Sequence, residues 1–368
     1  MTYNWQLKDW PDFSYDLSKL DDVLYDITSR ISRVSGVLEG LTESIRTEAL
    51  IDMMVFEAVK TSEIEGEYIS RRDVMSSIRN NLGLNTQVEQ VKDKRAKGAA
   101  ELMLCVRDGY DKKLDQEMLF DWHKILMQGA RRVKIGEWRD HVEPMQVVSG
   151  LIGKEVVHYE APPSDIVPVE MNQFIRWFND TAPLGSDAIK KTAVRAAIAH
   201  LYFETIHPFE DGNGRIGRAI SEKALSQGFG FPVLLSLSKT IEANKNAYYD
   251  NLKAAQRSNE ITTWITYFVG VILDAQGDAE KQIDFTLKKA KLFDRYETQM
   301  NERQLKVVRR MLESGLEGFE GGMSAKKYIK IAKTSKATAT RDLQDLSEKG
   351  ILMPIGAGRS TRYDVKLV

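Results

Sequence analysis

The chain has little of what would staple a small secreted domain. It carries one cysteine, Cys105, in 368 residues, so no disulfide can form within it and no cysteine-rich metal site is available. Cys105 lies in the apolar run AELMLCV and is expected to be a buried core thiol. Long hydrophobic runs are missing too. The most apolar stretch, WITYFVGVIL at 264–273, is too short to span a bilayer. Neither sign of charge dominates: 52 Lys and Arg face 53 Asp and Glu, a formal net charge of -1, so any pull toward nucleic acid or membrane has to be local. The opening MTYNWQLKDW has neither a signal-peptide layout nor a myristoylation pattern. The expectation is a reducing, cytoplasmic setting with no membrane attachment.

Only nine prolines interrupt the chain, and few runs alternate apolar with polar residues, which leaves little room for a large sheet. Helical spacing of apolar residues runs instead through 20–59, 95–107, 115–128, 168–180, 187–205, 216–227, 245–257 and 261–274. One segment departs from it. MQVVSGLIGKEVVHY, 145–159, sets two β-branched pairs around a glycine-containing turn and reads as a hairpin, with an irregular surface loop as the alternative. Pro162 and Pro163 close it off. From 275 to 314 the chain is highly charged with helical periodicity, until the four glycines of GLEGFEGG, 315–322, break the helix. These shifts divide the chain into a helical N-terminal region at 1–94, a core at 95–274, a connecting helix at 275–294 and a small domain at 295–368.

Residues 207–218 read HPFEDGNGRIGR. A helix bearing Val194, Ala197, Ile198 and Leu201 leads into this stretch, and Ile216, Ala219, Ile220 and Ala224 continue as a helix beyond it. DGNG is therefore a tight loop that becomes a helix N-terminus, where converging N–H groups and the helix dipole make an anion nest. Arg215 and Arg218, three apart on the second helix, can both reach that nest. Asp211 suits Mg²⁺, which usually meets a nucleotide through a carboxylate or two. His207 can take a proton near neutral pH. The set amounts to a base, a metal carboxylate and a polyphosphate cradle; taken singly, each residue also fits a capped turn with solvated arginines. The stretch has no P-loop lysine and no second histidine of HExxH, which excludes an ordinary NTPase and a zinc hydrolase.

The twelve residues resemble the Fic-family signature His-x-Phe-x-(Asp/Glu)-Gly-Asn-Gly-Arg-x-x-Arg at every fixed position. The resemblance implies a mainly helical fold and transfer of AMP from ATP to a Ser, Thr or Tyr hydroxyl of a target protein, the chain itself included. By position, it implies that His207 is the general base, that Phe209 anchors the loop in the core, and that Asp211 binds Mg²⁺. Gly212, Asn213, Gly214, Arg215 and Arg218 would bind ATP, with Tyr248 and Tyr249 where the family often places its adenine pocket. The segment at 145–159 resembles the Fic flap, which aligns a target by strand addition. TSEIEG, 61–66, resembles the inhibitory motif (Ser/Thr)-x-x-x-Glu-(Gly/Asn), with Glu65 as the inhibitory acid; read without the resemblance, it is a helix end capped by Gly66.

The tail at 324–368 holds ten Lys and Arg against four Asp and Glu. Ile329 and Ala332 fall on one helix, Ala339, Leu343 and Leu346 on a second, and two short strands follow. This resembles a winged helix-turn-helix domain, with a DNA or a protein partner both open. Two function classes compete: a Mg²⁺-dependent protein adenylyltransferase held off by Glu65, and a nucleotide-sensing DNA-binding regulator. Fic members that phosphorylate or remove AMP stay alternatives, although Gly214 keeps the full phosphate loop and favours AMP transfer. A homodimer is left open.

Overall fold

The structure is a computed structural model that describes residues 2–85, 87–131, 133–149, 156–356 and 361–367. The elements run α1 (Asp21–Glu39), α2 (Glu43–Ile64), α3 (Arg71–Asn81), α4 (Lys94–Asp108), α5 (Gln116–Leu126), β1 (Gln146–Ser149) and β2 (Val156–Glu160). They continue with α6 (Val167–Asp180), α7 (Thr192–Ile206), α8 (Asn213–Phe229), α9 (Leu237–Ala243), α10 (Lys245–Ala255) and α11 (Thr262–Tyr296). Last come α12 (Glu302–Leu312), α13 (Ala325–Ala332), α14 (Lys336–Glu348), β3 (Leu352–Ile355) and β4 (Arg362–Val365). The fold is mainly α, as the periodicity implies. Among the described residues, no helix is long and apolar enough to cross a membrane.

The chain divides into two compact units. One comprises Met1–Glu39 with Met53–Ala279, the other Gly40–Asp52 with Glu280–Val368. At the centre of the first unit is α7, TAVRAAIAHLYFETI, buried from Ala193 to Ile206 on every face, as an all-round apolar sequence requires. It packs against α8. Ser70, Asp93 and Asp115 begin α3, α4 and α5 by accepting N–H bonds from Asp73, Arg95 and Met118. The β1–β2 hairpin is antiparallel, with an irregularity between Val147 and Val148. It is pinned to the end of α7 by buried Tyr159, whose hydroxyl donates to the Thr205 carbonyl at 2.5 Å. The expected glycine turn of this hairpin, at 150–155, lies outside the described residues.

In the second unit α12, α13 and α14 precede the antiparallel β3–β4 pair. Val307, Val308, Met311, Tyr328, Leu343 and Leu346 form its core. Of GAGR, 356–359, the wing that the winged-helix resemblance implies, residues 357–359 lie outside the described residues.

Three local expectations need correction. The 20–59 periodicity is two helices, α1 and α2, separated at Gly40–Thr42, where glycine carries the higher helix cost. The segments 261–274 and 275–294 form one continuous helix, α11, because a rise in charge changes the exposure of a helix without ending it. Cys105 is only half-buried, since the core-facing positions of α4 fall to Leu102, Met103 and Val106.

Candidate active site

The site begins where α7 stops. His207 caps that helix with φ 51° and ψ 59°, a left-handed conformation uncommon for a residue with a Cβ. Buried Arg139 holds the turn in place. Its Nε donates to the His207 carbonyl at 2.8 Å, and Nη2 donates to the Pro162 and Ile206 carbonyls at 2.5 and 3.2 Å. Phe209 is fully buried and stacked on His123, with ring centroids 4.0 Å apart and planes 9° from parallel. The Asn213 side chain closes the loop: Oδ1 accepts the Phe209 N–H at 2.9 Å and Nδ2 donates to the Phe209 carbonyl at 2.8 Å. His123 Nδ1 accepts the Gly136 N–H, so Nε2 carries the proton and donates to the Asp211 carbonyl at 3.1 Å. Gly212, at φ 83°, turns the chain into the first N–H groups of α8.

Both arginines are buried, 3% exposed at Arg215 and 2% at Arg218, and both are engaged by acids at the end of α2. Arg218 Nη2 donates to Glu65 Oε1 at 2.8 Å and to the Thr61 carbonyl at 3.0 Å, while its Nε donates to Thr61 Oγ1 at 2.8 Å. Arg215 Nη1 donates to Glu67 Oε2 at 2.6 Å, and Nη2 lies 3.4 Å from Asp211 Oδ1. The Glu65 carboxylate also lies against the start of α8, since a Cβ at Gly214 would fall 2.3 Å from Glu65 Oε1. An acid thus sits in the mouth of the anion nest. Burial alone would raise its pKa, but Arg218, then Arg215 and Lys245, hold the Glu65 carboxyl below its ordinary value. Burial works against the Arg218 cation and Glu65 beside it raises its pKa above the usual value. Lys245 Nζ donates to the Ile64 carbonyl, which ties down the last turn of α2.

A cavity of about 930 Å³ joins most of these groups. Glu65, His207, Asp211, Gly212, Asn213, Gly214, Tyr248 and Tyr249 line it, as do Val147, Val148 and His158 of the hairpin. Burial, helped by the Arg139 charge, pushes His207 down to about 4, so its imidazole is neutral at physiological pH. Tyr248 is buried and its hydroxyl is 2.8 Å from His200 Nε2, whereas Tyr249 is 38% exposed to the cavity side. Asp211 accepts the Gly212 N–H at 2.6 Å with its side chain half exposed. Among the described residues, no three His, Cys, Asp or Glu side chains converge as a metal-binding group. A single exposed carboxylate beside a phosphate nest still fits Mg²⁺ delivered on a nucleotide.

Sequence reasoning missed Arg139, Glu67, Lys245 and Glu204. The first three are ordinary charges in polar segments and carry no signal before the chain is folded. Glu204 did carry one, being a carboxylic acid inside the apolar run AIAHLYFETI.

Residues 113–225 match the Fic/DOC family, and residues 3–84 match a domain of unknown function, DUF4172. The chain is 24% identical over 194 residues to Protein adenylyltransferase fic-1 of Caenorhabditis briggsae, covering 49% of this chain and 34% of that protein. It is 29% identical over 151 residues to Protein adenylyltransferase Fic of Aedes aegypti, covering 40% and 26%. A Fido domain-containing protein of Dictyostelium discoideum is 38% identical over 84 residues, covering 23% and 54%. The chain therefore spans between about a quarter and just over half the length of these relatives. Among solved structures, a Fic family protein from Desulfovibrio desulfuricans G20 superposes with a TM-score of 0.54 at 19% identity, covering 97% of this chain and 98% of that one. A Fic domain containing signaling protein from Bacteroides thetaiotaomicron VPI-5482 gives 0.53 at 18% identity, covering 69% and 95%. At such identities the structural likeness is one of fold. Together with the intact signature at 207–218, the matches make the segment 113–225 a domain of the Fic/DOC family.

Proposed function

We propose that this chain transfers AMP from ATP to a hydroxyl side chain of a target protein. The observation that carries the reading is the shared cavity, which holds a neutral imidazole, an anion nest and an aromatic wall. The α8 N-terminus, through Gly212, Asn213 and Gly214, would cradle the phosphates, and Arg215 and Arg218 would carry their charge. Tyr248 and Tyr249 would flank the base. Asp211 would hold Mg²⁺, whose chemistry there is to neutralise phosphate charge. The target oxygen bonds to the α-phosphorus, the bond to the β-phosphate oxygen breaks, pyrophosphate leaves, and the hydroxyl proton passes to His207. The exposed valines of the hairpin, Val148, Val156 and Val157, suit strand addition by the target segment.

Glu65 holds the enzyme off in this reading. Its carboxylate occupies Arg218 and lies over Gly214, where a phosphate would sit, so ATP has to displace it or bind out of line. A charge-assisted pair of this kind is strong yet displaceable by a competing anion. Residues 295–368 act as a docking module, and the exposed Lys336 and Arg341 on α14 support a DNA partner. ATP labelled at the α- or the γ-phosphate tests the reaction on a Glu65→Gly variant. Label should reach protein from the α position only; label from the γ position would make the chain a kinase and overturn the assignment.

A further inference from the structure

Glu204 lies one turn ahead of His207 on α7. Its side chain is 6% exposed, Oε2 is 3.7 Å from His207 Nδ1, and Oε1 has no hydrogen-bond partner among the described residues. His207 Nδ1 has none there either. A buried carboxyl oxygen and a buried imidazole nitrogen, neither with a hydrogen-bond partner, cost stability that a packed apolar pair would not. The neighbouring helix is shaped around this acid, because a Cβ at Gly217 would fall 2.4 Å from Glu204 Oε1. Gly217 is one of the two variable positions between Arg215 and Arg218. Glu204, rather than the phosphate loop, is what leaves it no room for a side chain.

We propose that Glu204 is the positioning residue of His207: its carboxylate accepts the Nδ1–H and leaves Nε2 as the nitrogen that takes the target's proton. The inference rests on the transferase reading above. As the new bond to the α-phosphorus forms and the bond to pyrophosphate breaks, the proton moves to Nε2. The resulting imidazolium keeps its Nδ1–H on the Glu204 carboxylate, which stabilises the charge. A separation of 3.7 Å is long for a hydrogen bond, and contacts of this kind commonly tighten only in the reacting complex. A protonated Glu204 would do the reverse, donating to Nδ1 and forcing the ring proton onto Nε2. Burial, with Glu65 adding to it and Arg218 opposing, pushes the Glu204 carboxyl up to about 8. Tyr159 of the hairpin, Tyr248 and Tyr249 on α10, and Arg139 and Asp211 beside His207 are further charged or titratable groups acting on the pair.

The test uses the full chain in the Glu65→Gly background, where transfer is measurable. The kcat of Glu65→Gly should rise with pH as Glu204 ionises, at a pH below the value of about 8 that holds with Glu65 in place, because Glu65 no longer raises the carboxyl and Arg218 still lowers it. Adding Glu204→Gln should lower kcat by about 10²-fold, the low end of what a general base contributes, leave the KM for ATP unchanged and flatten that rise. Glu204→Ala, which removes the acid without adding an amide, should show the same loss. ¹⁵N NMR of the imidazoles, with His207 assigned through His207→Ala, should report the Nδ1–H form above that pH and a changed tautomer in Glu204→Gln. A kcat equal to that of Glu65→Gly alone, or an unchanged tautomer, overturns the proposal. No transfer by Glu65→Gly itself would sink the transferase reading instead, and the tautomer would then decide Glu204 by itself.

Discussion

The loop at 207–214 and the turn at 65–67 converge on the same two arginines, yet they are held by different kinds of contact. The loop is fastened to the core. Phe209 stacks on His123, Asn213 bonds both backbone groups of Phe209, and Arg139 grips the His207 carbonyl. Asn213 spends its side chain on these contacts, which leaves its backbone N–H to the nest. The turn, closed by its own backbone bonds to the end of α2, reaches the site through Glu65 to Arg218 and Glu67 to Arg215, ion pairs whose cations are the phosphate ligands of the proposed reaction. On the proposed reading, a preorganised cradle beside a lock built from the cradle's own cations can open without rebuilding the site.

Substitutions in the loop should therefore cost more than substitutions in the turn. The largest effect is expected at His207. In the Glu65→Gly background, His207→Ala should retain ATP binding and lose transfer by roughly 10²–10⁴-fold. A near-normal rate would mean that another group takes the proton. Next comes Phe209→Ala, which removes a fully buried ring and should destabilise the fold by about 3–5 kcal/mol in a denaturant titration. A loss no larger than a surface substitution would show that the loop is not anchored through the core. The smallest effect lies away from the site. Lys336→Glu with Arg341→Glu should leave AMP transfer intact and reduce the salt dependence of duplex DNA binding, by about 0.9 in logarithmic slope for each phosphate that is no longer neutralised. The absence of DNA binding by the unsubstituted chain at low salt would turn the second unit toward a protein partner.

The contrast also explains what was legible in the sequence. Periodicity located α4 through α8 because their apolar faces pack within one core, and α7 could be read from its apolar run alone. HPFEDGNGRIGR was legible because its residue types are fixed by local geometry, with glycines at the turn and arginines one helical turn apart. Arg139 and Glu67 were not, since each acts on residues about 70 and 150 positions away and only folding brings them together. The separation of α1 from α2 was hidden because the apolar spacing continues across Gly40. The short α9 escaped notice because seven residues give less than two full periods of the helical pattern.

The central claim is that the Glu65–Arg218 pair, and not a missing catalytic part, keeps the nucleotide site shut. AMP incorporation from α-labelled ATP into the chain itself, measured side by side for the unsubstituted protein and for Glu65→Gly, tests it most directly. Releasing a coupling of about 1–3 kcal/mol should raise incorporation roughly 5- to 150-fold, and adding Arg218→Ala should abolish the gain because it removes the phosphate ligand together with the lock. If Glu65→Gly labels no faster than the unsubstituted chain, TSEIEG is only a capped helix end and the account of the site as a locked cradle is wrong.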